Sequence, residues 1–154
     1  MAKKFIPYAD LDKFQRAMVD SVFGTERRNA AYKGYGLDVL VNDVDGRVRA
    51  AVARQGYGLD KLVSDTSCVV REAVADLGYG LDKLVNDPYS SVRAVVACRG
   101  YGLDKLAYDS NLDVCRCVGS YLVKKGYVNL SEWIAANPDK CVLEANRLLL
   151  GSRR

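Results

Sequence analysis

A tandem repeat of 22 residues constrains the fold of this chain more than any other feature of its sequence. The tetrapeptide Tyr-Gly-Leu-Asp begins at Tyr35 and returns without a gap at Tyr57, Tyr79 and Tyr101. A fixed period of this length means that each segment is one supersecondary unit, which buries its apolar face against its neighbours. The sequence therefore predicts a repeat architecture with units at 35–56, 57–78, 79–100 and 101–126.

Within one unit, the local signals predict a short helix followed by a longer one. Leu81 and Leu84 are spaced to share one side of a short helix. Asp87 followed by Pro88 is typical of an N-cap and a first helical residue, and Gly100 stands where a left-handed residue would end the second helix. The same two columns hold Asp43, Asp65 and Asp109, and Gly34, Gly56 and Gly78.

Leucine-rich repeats have a similar period, but this sequence disagrees with them. Their strand needs a Leu-x-x-Leu-x-Leu pattern, and here Asn86 takes the place of the third leucine. The run from Val92 to Cys98 instead has the period of an amphipathic helix. The sequence therefore favours helices over a strand-lined horseshoe.

The pattern Asp-Pro-x-x-x-Val-Arg-x-x-Val-Ala, with a Leu-x-x-Leu-Val segment, resembles the HEAT-like α-solenoids and is most similar to their short leucine-rich-variant repeats. Its Val-Arg-x-x-Val-Ala element occurs at 48–53, 70–75 and 92–97. The fourth unit departs from the pattern at Cys115 and Gly119. The resemblance covers residues 35–119 and implies mainly protein-binding scaffolds, with some DNA-binding members and a few enzymes.

The predicted fold is all-α: a right-handed α-solenoid of stacked short-helix and long-helix pairs, forming a single domain over residues 1–154. Residues 1–34 form a divergent N-terminal unit, and residues 127–154 form a C-terminal cap unit. Near the end, Leu148, Leu149 and Leu150 cannot all face one core, because consecutive residues point around a helix. They suit either self-association or partner docking through a terminal unit, or a cap that wraps around the end.

Composition excludes several classes of function. The chain contains no histidine, so catalytic triads and metal sites that need one cannot form. It has no apolar run long enough to span a membrane and no signal peptide, so we expect a cytoplasmic protein. Its five cysteines form no Cys-x-x-Cys pair, and we expect free thiols with no metal or cofactor.

The residues that are identical in every unit are expected to hold the stack together, because a binding or catalytic demand would fall on one place only. Paired carboxylates can serve hydrolysis, but here the aspartates recur with arginines at a fixed offset. We predict a structural ladder in which each arginine bridges an aspartate or a helix end in its own or the neighbouring unit. The predicted ladder comprises Asp38, Asp60, Asp82 and Asp104 with Arg49, Arg71 and Arg93.

Recognition should then fall to columns that vary between units. Three such columns stand three and seven residues apart in the long helix, hence on one face, and the inter-helix turn lies beside them. The alternative is a solvated face that drifts neutrally. The predicted protein-binding residues are Arg47, Val69, Glu72, Asp76, Tyr89, Ser91, Cys98, Tyr108, Leu112, Asp113 and Arg116.

A lysine row offers the alternative of nucleic-acid binding. Lys61, Lys83 and Lys105 occupy one column and could follow a phosphate backbone. However, formal charge is +3 over residues 1–34, −2 over 35–123 and +3 over 124–154, so the body of the chain is slightly acidic. Each lysine also follows an aspartate, which favours a solvated edge.

The favoured hypothesis is a non-catalytic protein-binding module, an adaptor or a small inhibitor of a larger complex, such as a bacterial protein or a phage protein directed at a host defence. A nucleic-acid-binding protein similar to the DNA-binding HEAT-like members is the second hypothesis, and an enzyme is the third.

Overall fold

The computed structural model describes residues 5–140, and in that range the protein is all-helical. It forms eleven α-helices and no β-strand there, with an isolated parallel bridge between Ile6 and Tyr35. The cysteine at 141 and the three leucines at 148–150 lie outside the described residues.

Short and longer helices alternate through the middle of the chain. Four short helices begin 22 residues apart: α3 (Leu37–Leu40), α5 (Leu59–Leu62), α7 (Leu81–Leu84) and α9 (Leu103–Leu106). Four longer ones do the same: α4 (Gly46–Arg54), α6 (Cys68–Asp76), α8 (Ser90–Cys98) and α10 (Leu112–Lys125). They are preceded by α1 (Lys13–Val19) and α2 (Gly24–Lys33) and followed by α11 (Leu130–Ala136).

Each Gly-Tyr-Gly segment ends one helix and begins the next. Gly100 is left-handed at φ 72°, and its N–H donates to the carbonyl of Ala97 at 2.9 Å, while the N–H of Tyr101 donates to Val96 at 3.3 Å. These two bonds form the predicted Schellman ending. Gly102, left-handed at φ 61°, is the N-cap of α9. Both positions require a positive φ, which glycine adopts without steric cost because it has no Cβ. This explains why both residues are glycine.

The chain divides into two compact units, Met1–Tyr79 and Gly80–Arg154. In the first, α4 packs against α2 on one side and α6 on the other, and in the second α8 packs against α10. The repeated leucines and valines are at most 3% exposed: Leu40, Leu62, Leu84, Leu106, Val48, Val70, Val92 and Val114. In the second unit, the Tyr121 side chain on the extended α10 lies directly over Gly100. At the equivalent Gly78 of the first unit, an added side chain would meet no neighbour.

The prediction that the aspartates of the Asp87 column cap the long helices is wrong. The N-caps of these helices stand two residues later, at Asp45, Ser67, Tyr89 and Asn111. Asp109 accepts from the backbone N–H of Asn111 at 2.9 Å, and Asp65 accepts from Ser67 in the same way. Each aspartate therefore shapes the turn before the helix with one carboxylate oxygen.

The ladder arginines pair with this same turn column. Arg93 donates from Nε and Nη2 to the two carboxylate oxygens of Asp109 at 2.7 and 2.8 Å, and Arg49 does the same to Asp65 at 2.7 Å for both bonds. Each arginine also donates from Nη1 into its own inter-helix turn, Arg93 to the carbonyl of Asp87 at 2.8 Å. One guanidinium therefore joins the turns of two successive repeats.

Arg49 and Arg93 pair with Asp65 and Asp109 and not with the aspartate column that the sequence analysis assigned to the ladder. The described contacts of Asp38, Asp60, Asp82 and Asp104 differ from one another: Asp38 accepts from the N–H of Tyr8 at 3.0 Å, Asp60 accepts from the hydroxyl of Tyr79, Asp104 is fully buried, and Asp82 is exposed. Arg71 donates to the carbonyls of Asp65 and Thr66 and so keeps the local geometry of Arg49 and Arg93. The opening unit repeats the device, with Arg27 bound to Asp43 at 2.6 Å.

Replacing Arg93 with alanine should destabilise the protein by about 3 kcal/mol, because the Asp109 side chain is only 8% exposed and would lose its partner. Arg116→Ala is the matched control, since its pair with Asp113 is about three-quarters exposed and such pairs contribute about 0–1 kcal/mol. Urea unfolding followed by circular dichroism measures both. Equal losses would mean that the ladder does not hold the repeats together.

The ladder also predicts acid sensitivity. The hydrogen bond from Arg93 holds the pKa of Asp109 below its ordinary value of 3.8. A lowered folded-state pKa stabilises the protein above the unfolded value, and this contribution is lost as pH falls through the folded pKa. The free energy of unfolding should therefore fall between about pH 4 and pH 2 more steeply in the wild type than in Asp109→Asn. Parallel curves for the two proteins would contradict the prediction.

Candidate functional site

The residues that differ between repeats lie largely on the surface of the long helices. Two of the three varying columns are exposed throughout: Arg47, Val69, Ser91 and Asp113, and Arg54, Asp76, Cys98 and Ser120. The middle column is mixed, because Arg116 is exposed, Glu72 is half-buried and Ala50 is fully buried. The varying face therefore consists of two exposed columns on either side of a partly covered one.

Beside this face in the second unit, a groove of about 580 Å³ opens between two inter-helix turns. Its lining includes the ion pair of Arg93 with Asp109, and Pro88 belongs to the turn that Arg93 holds through its carbonyls. Lys105 stands at the groove and donates to the side-chain oxygen of Asn86. The ladder pair thus positions both turns that border the groove.

The charged groups that line this groove balance each other, with Arg93 and Lys105 as the cations and Asp87 and Asp109 as the carboxylates. The Arg93 and Asp109 side chains are 16% and 8% exposed and are joined by two hydrogen bonds. The exposed wall is aromatic, because Tyr108 is 80% accessible to solvent. The groove therefore presents apolar surface and hydrogen-bonding groups, and its lining has no net formal charge.

The first unit carries an equivalent groove of about 430 Å³. Arg49 and Asp65 take the places of Arg93 and Asp109, and Lys61 donates to Asn42 as Lys105 does to Asn86. The main difference is in the wall, where Ser64 stands in the column of Tyr108. The same framework therefore carries different recognition surfaces in the two units.

Several of the exposed apolar side chains lie on the inter-helix turns or directly beside them. In the second unit, Tyr89, Tyr108 and Leu112 are 54%, 80% and 74% exposed. These are three of the residues predicted to bind a protein, and the turns that carry them are joined by Arg93. Exposed aromatic and aliphatic groups at neighbouring positions are typical of docking surfaces.

Sequence analysis missed a second apolar group at the turns of the first unit. Val22 and Phe23 are 86% and 64% exposed, and Val44, in the next turn, is 92% exposed. Arg27 donates to the carbonyl of Val22 and pairs with Asp43, so it joins these two turns. Aligning the opening unit on the 22-residue columns places Val22 in the column of Val44, and this signal could have identified the pair.

The lysine row does not form three equivalent cationic groups. Lys61 and Lys105 each donate to an asparagine of the preceding repeat, and Lys83 is exposed. The asparagine contacts hold the two ammonium groups against the protein surface. This arrangement suits a structural edge better than a continuous phosphate-binding row.

The two carboxylates whose pKa values are shifted belong to the arginine–aspartate pairs. Burial alone would raise the pKa of Asp65, but hydrogen bonds from Arg49 and from the N–H of Ser67 lower it overall, and Asp109 is lowered in the same way. Perturbed carboxylates at a catalytic centre would be expected at one repeat alone. Among residues 5–140, no cluster of three acidic or thiol side chains is arranged to hold a metal ion.

None of the helices in the described part of the chain is both long and apolar enough to cross a membrane. In comparisons with known proteins, no family model, no curated protein and no solved structure matches this chain.

Proposed function

We propose that this protein is a non-catalytic helical-repeat module that binds a protein partner through its inter-helix turns and the varying face of its long helices. It would serve as an adaptor or as a small inhibitor of a larger complex. The observation that carries the proposal is the cluster of exposed apolar side chains at Tyr89, Tyr108 and Leu112, on turns fixed by a buried ion pair.

The proposal includes a right-handed α-solenoid as the architecture. Two facts support it: short and long helices begin every 22 residues, and the same arginine–aspartate pair recurs within each compact unit. Repeats of this kind gain their stability from neighbour contacts, which leaves the outward positions free to vary.

Charge favours a protein partner over nucleic acid. Arg49 and Arg93 are already paired with carboxylates, and Lys61 and Lys105 are hydrogen-bonded to asparagines. A phosphate backbone needs several unpaired cations in a row to release counterions. Apolar side chains beside a neutralised ion pair instead suit the desolvated centre of a protein interface.

The test replaces two exposed residues with the side chains that this chain itself uses in the same columns. Tyr108→Ser copies Ser64, and Leu112→Ser copies Ser90, so the double variant should fold. Wild type and variant are used to capture partners from the native cell extract, with and without nuclease. We expect the wild type to retain a protein through nuclease treatment, and the variant to bind it at least about tenfold more weakly, as for buried hot-spot residues.

Val123→Ser with Val128→Ser is the matched control, because these two valines of the same unit are 79% and 86% exposed but lie away from the groove. It should bind as the wild type does. An equal loss in the control would contradict the proposed surface. Binding that disappears with nuclease, weakens steeply with salt and requires Lys61, Lys83 and Lys105 would instead support the nucleic-acid hypothesis.

A further inference from the structure

The first and fourth repeats each have a terminal segment of the chain bound to their Gly-Tyr-Gly turn. In the first repeat, the N–H of Ile6 donates to the carbonyl of Gly34 at 3.0 Å, and the N–H of Gly36 donates to the carbonyl of Ile6 at 2.9 Å. In the fourth repeat, the N–H of Gly102 donates to the carbonyl of Lys140 at 2.9 Å. In both repeats, a carbonyl from another part of the chain therefore accepts from the second glycine of the turn.

The N-terminal segment is extended where it meets the first turn. Ile6 forms a parallel bridge with Tyr35, and two residues later the N–H of Tyr8 donates to the carboxylate of Asp38 at 3.0 Å. Pro7 lies between them at φ −58° and ψ 152°, and the contact needs no N–H at this position. The turn thus holds an extended chain by two main-chain bonds and one bond to its aspartate.

The second repeat offers the same main-chain groups with nothing bound to them in the described part of the chain. Among residues 5–140, the N–H of Gly58 and the carbonyl of Gly56 take part in no backbone hydrogen bond. Gly56 is exposed and Gly58 is half-buried, whereas Gly34 and Gly36 are buried. Both groups lie between α4 and α5, outside either helix. The two turns have nearly the same shape, because φ is 80° at Gly34 and Gly56, 57° at Gly36 and 65° at Gly58.

The side chains beside the second turn match those of the first. Leu59 is half-buried, whereas Leu37, its counterpart in the first repeat, is only 2% exposed. Asp60 takes the place of Asp38 and is exposed, and one of its carboxylate oxygens accepts from the hydroxyl of Tyr79. A carboxylate has acceptor capacity for a further N–H. A bound segment would therefore cover an apolar side chain and find the same acceptor as Tyr8 does.

The residue before Ile6 indicates which side chain such a segment carries at that position. The ring of Phe5 lies 5.0 Å from the ring of Tyr57, the tyrosine of the next repeat. For a segment at the second turn, the corresponding tyrosine is Tyr79, which is 38% exposed. Aromatic pairs at this distance stabilise a contact beyond the area that they bury. The fitting pattern is an aromatic residue, an aliphatic residue with free N–H and C=O groups, and a proline.

We propose that the turn at 56–58, together with Asp60, binds an extended segment of a protein partner with the pattern aromatic, aliphatic, proline. Residues 5–8 of the chain itself are already bound to the first turn, so the occupant of the second comes from another protein. Main-chain hydrogen bonds hold the segment, as in peptide addition to a sheet edge, and its side chains give selectivity. The turn belongs to the first compact unit, and the inference does not depend on the groove of the second.

The probe is an eight-residue peptide with blocked ends that copies residues 3–10. Amide hydrogen exchange of the isotope-labelled full chain, followed by NMR, reads each turn directly. In the free protein, the N–H of Gly58 should exchange at least about tenfold faster than those of Gly36 and Gly102, because only these two are hydrogen-bonded. Saturating peptide should slow the exchange of Gly58 by at least about tenfold and leave Gly36 and Gly102 unchanged.

N-methylated peptides supply the matched control. A methyl group on the nitrogen that corresponds to Ile6 removes the donor to the carbonyl of Gly56 and should weaken binding at least about tenfold. The same group on the nitrogen that corresponds to Ala9 should have no effect, because the N–H of Ala9 makes no backbone hydrogen bond among residues 5–140.

Two protein variants separate this site from the groove. Asp60→Ala should weaken peptide binding, because the segment loses an acceptor, and it should fold because Asp60 is exposed. The variant with Tyr108→Ser and Leu112→Ser, which is altered only beside the groove, should bind the peptide as the wild type does. A failure of the proposed function would therefore leave this result unchanged.

Three results would overturn the proposal: exchange of Gly58 that the peptide does not slow, equal binding of the two methylated peptides, or a response confined to Gly36. Protection of Gly58 in the free protein would overturn it as well. If that protection came with a dimeric mass, the occupant would be a second copy of this chain and not a partner protein.

Discussion

The bidentate pair between an arginine of one repeat and an aspartate of the next is the interaction on which the rest of this structure depends. The hydrogen-bond distances of the Arg49–Asp65 and Arg93–Asp109 pairs are nearly equal. Arg27 with Asp43 repeats the arrangement in the opening unit. The guanidinium satisfies carbonyls of its own turn and a carboxylate of the neighbouring turn at once. It therefore fixes both the shape of each turn and the distance to the next one.

Fixing the turns has a consequence for recognition. The exposed side chains of Tyr89 and Tyr108 project from turns without a regular hydrogen-bonded ladder of their own, and Leu112, the first residue of α10, directly follows the second of these turns. Without the ion pair these segments would be free to move, and docking would have to order them at an entropic cost. Because the pair is nearly buried, the framework stays constant while the exposed positions vary, as the exchange of Ser64 for Tyr108 between equivalent grooves illustrates.

Much of the fold could be predicted because its signals are local. Each Gly-Tyr-Gly segment supplies two glycines with a left-handed backbone. The backbone hydrogen bonds beside them end one helix and begin the next. The choice of aspartate could not be predicted in the same way. The sequence offers Arg49 two carboxylates, Asp60 and Asp65, at constant offsets in every repeat, and only the path of the turn decides that Asp65 faces the guanidinium. The exposed site was predicted in part: Tyr108 and Leu112 were identified, whereas Val22 and Phe23 were missed because the opening unit lacks the repeated tetrapeptide.

The sequence by itself determined that the chain is helical, where its long helices end, and which columns are shared and which differ. These properties depend on backbone preferences and on hydrogen bonds between residues a few positions apart. Tertiary structure alone decided which carboxylates Arg49 and Arg93 bind, and that Ala50 is buried while Arg116 in the same column is exposed. Such outcomes depend on distances in space between side chains many residues apart, and a linear pattern does not encode these distances.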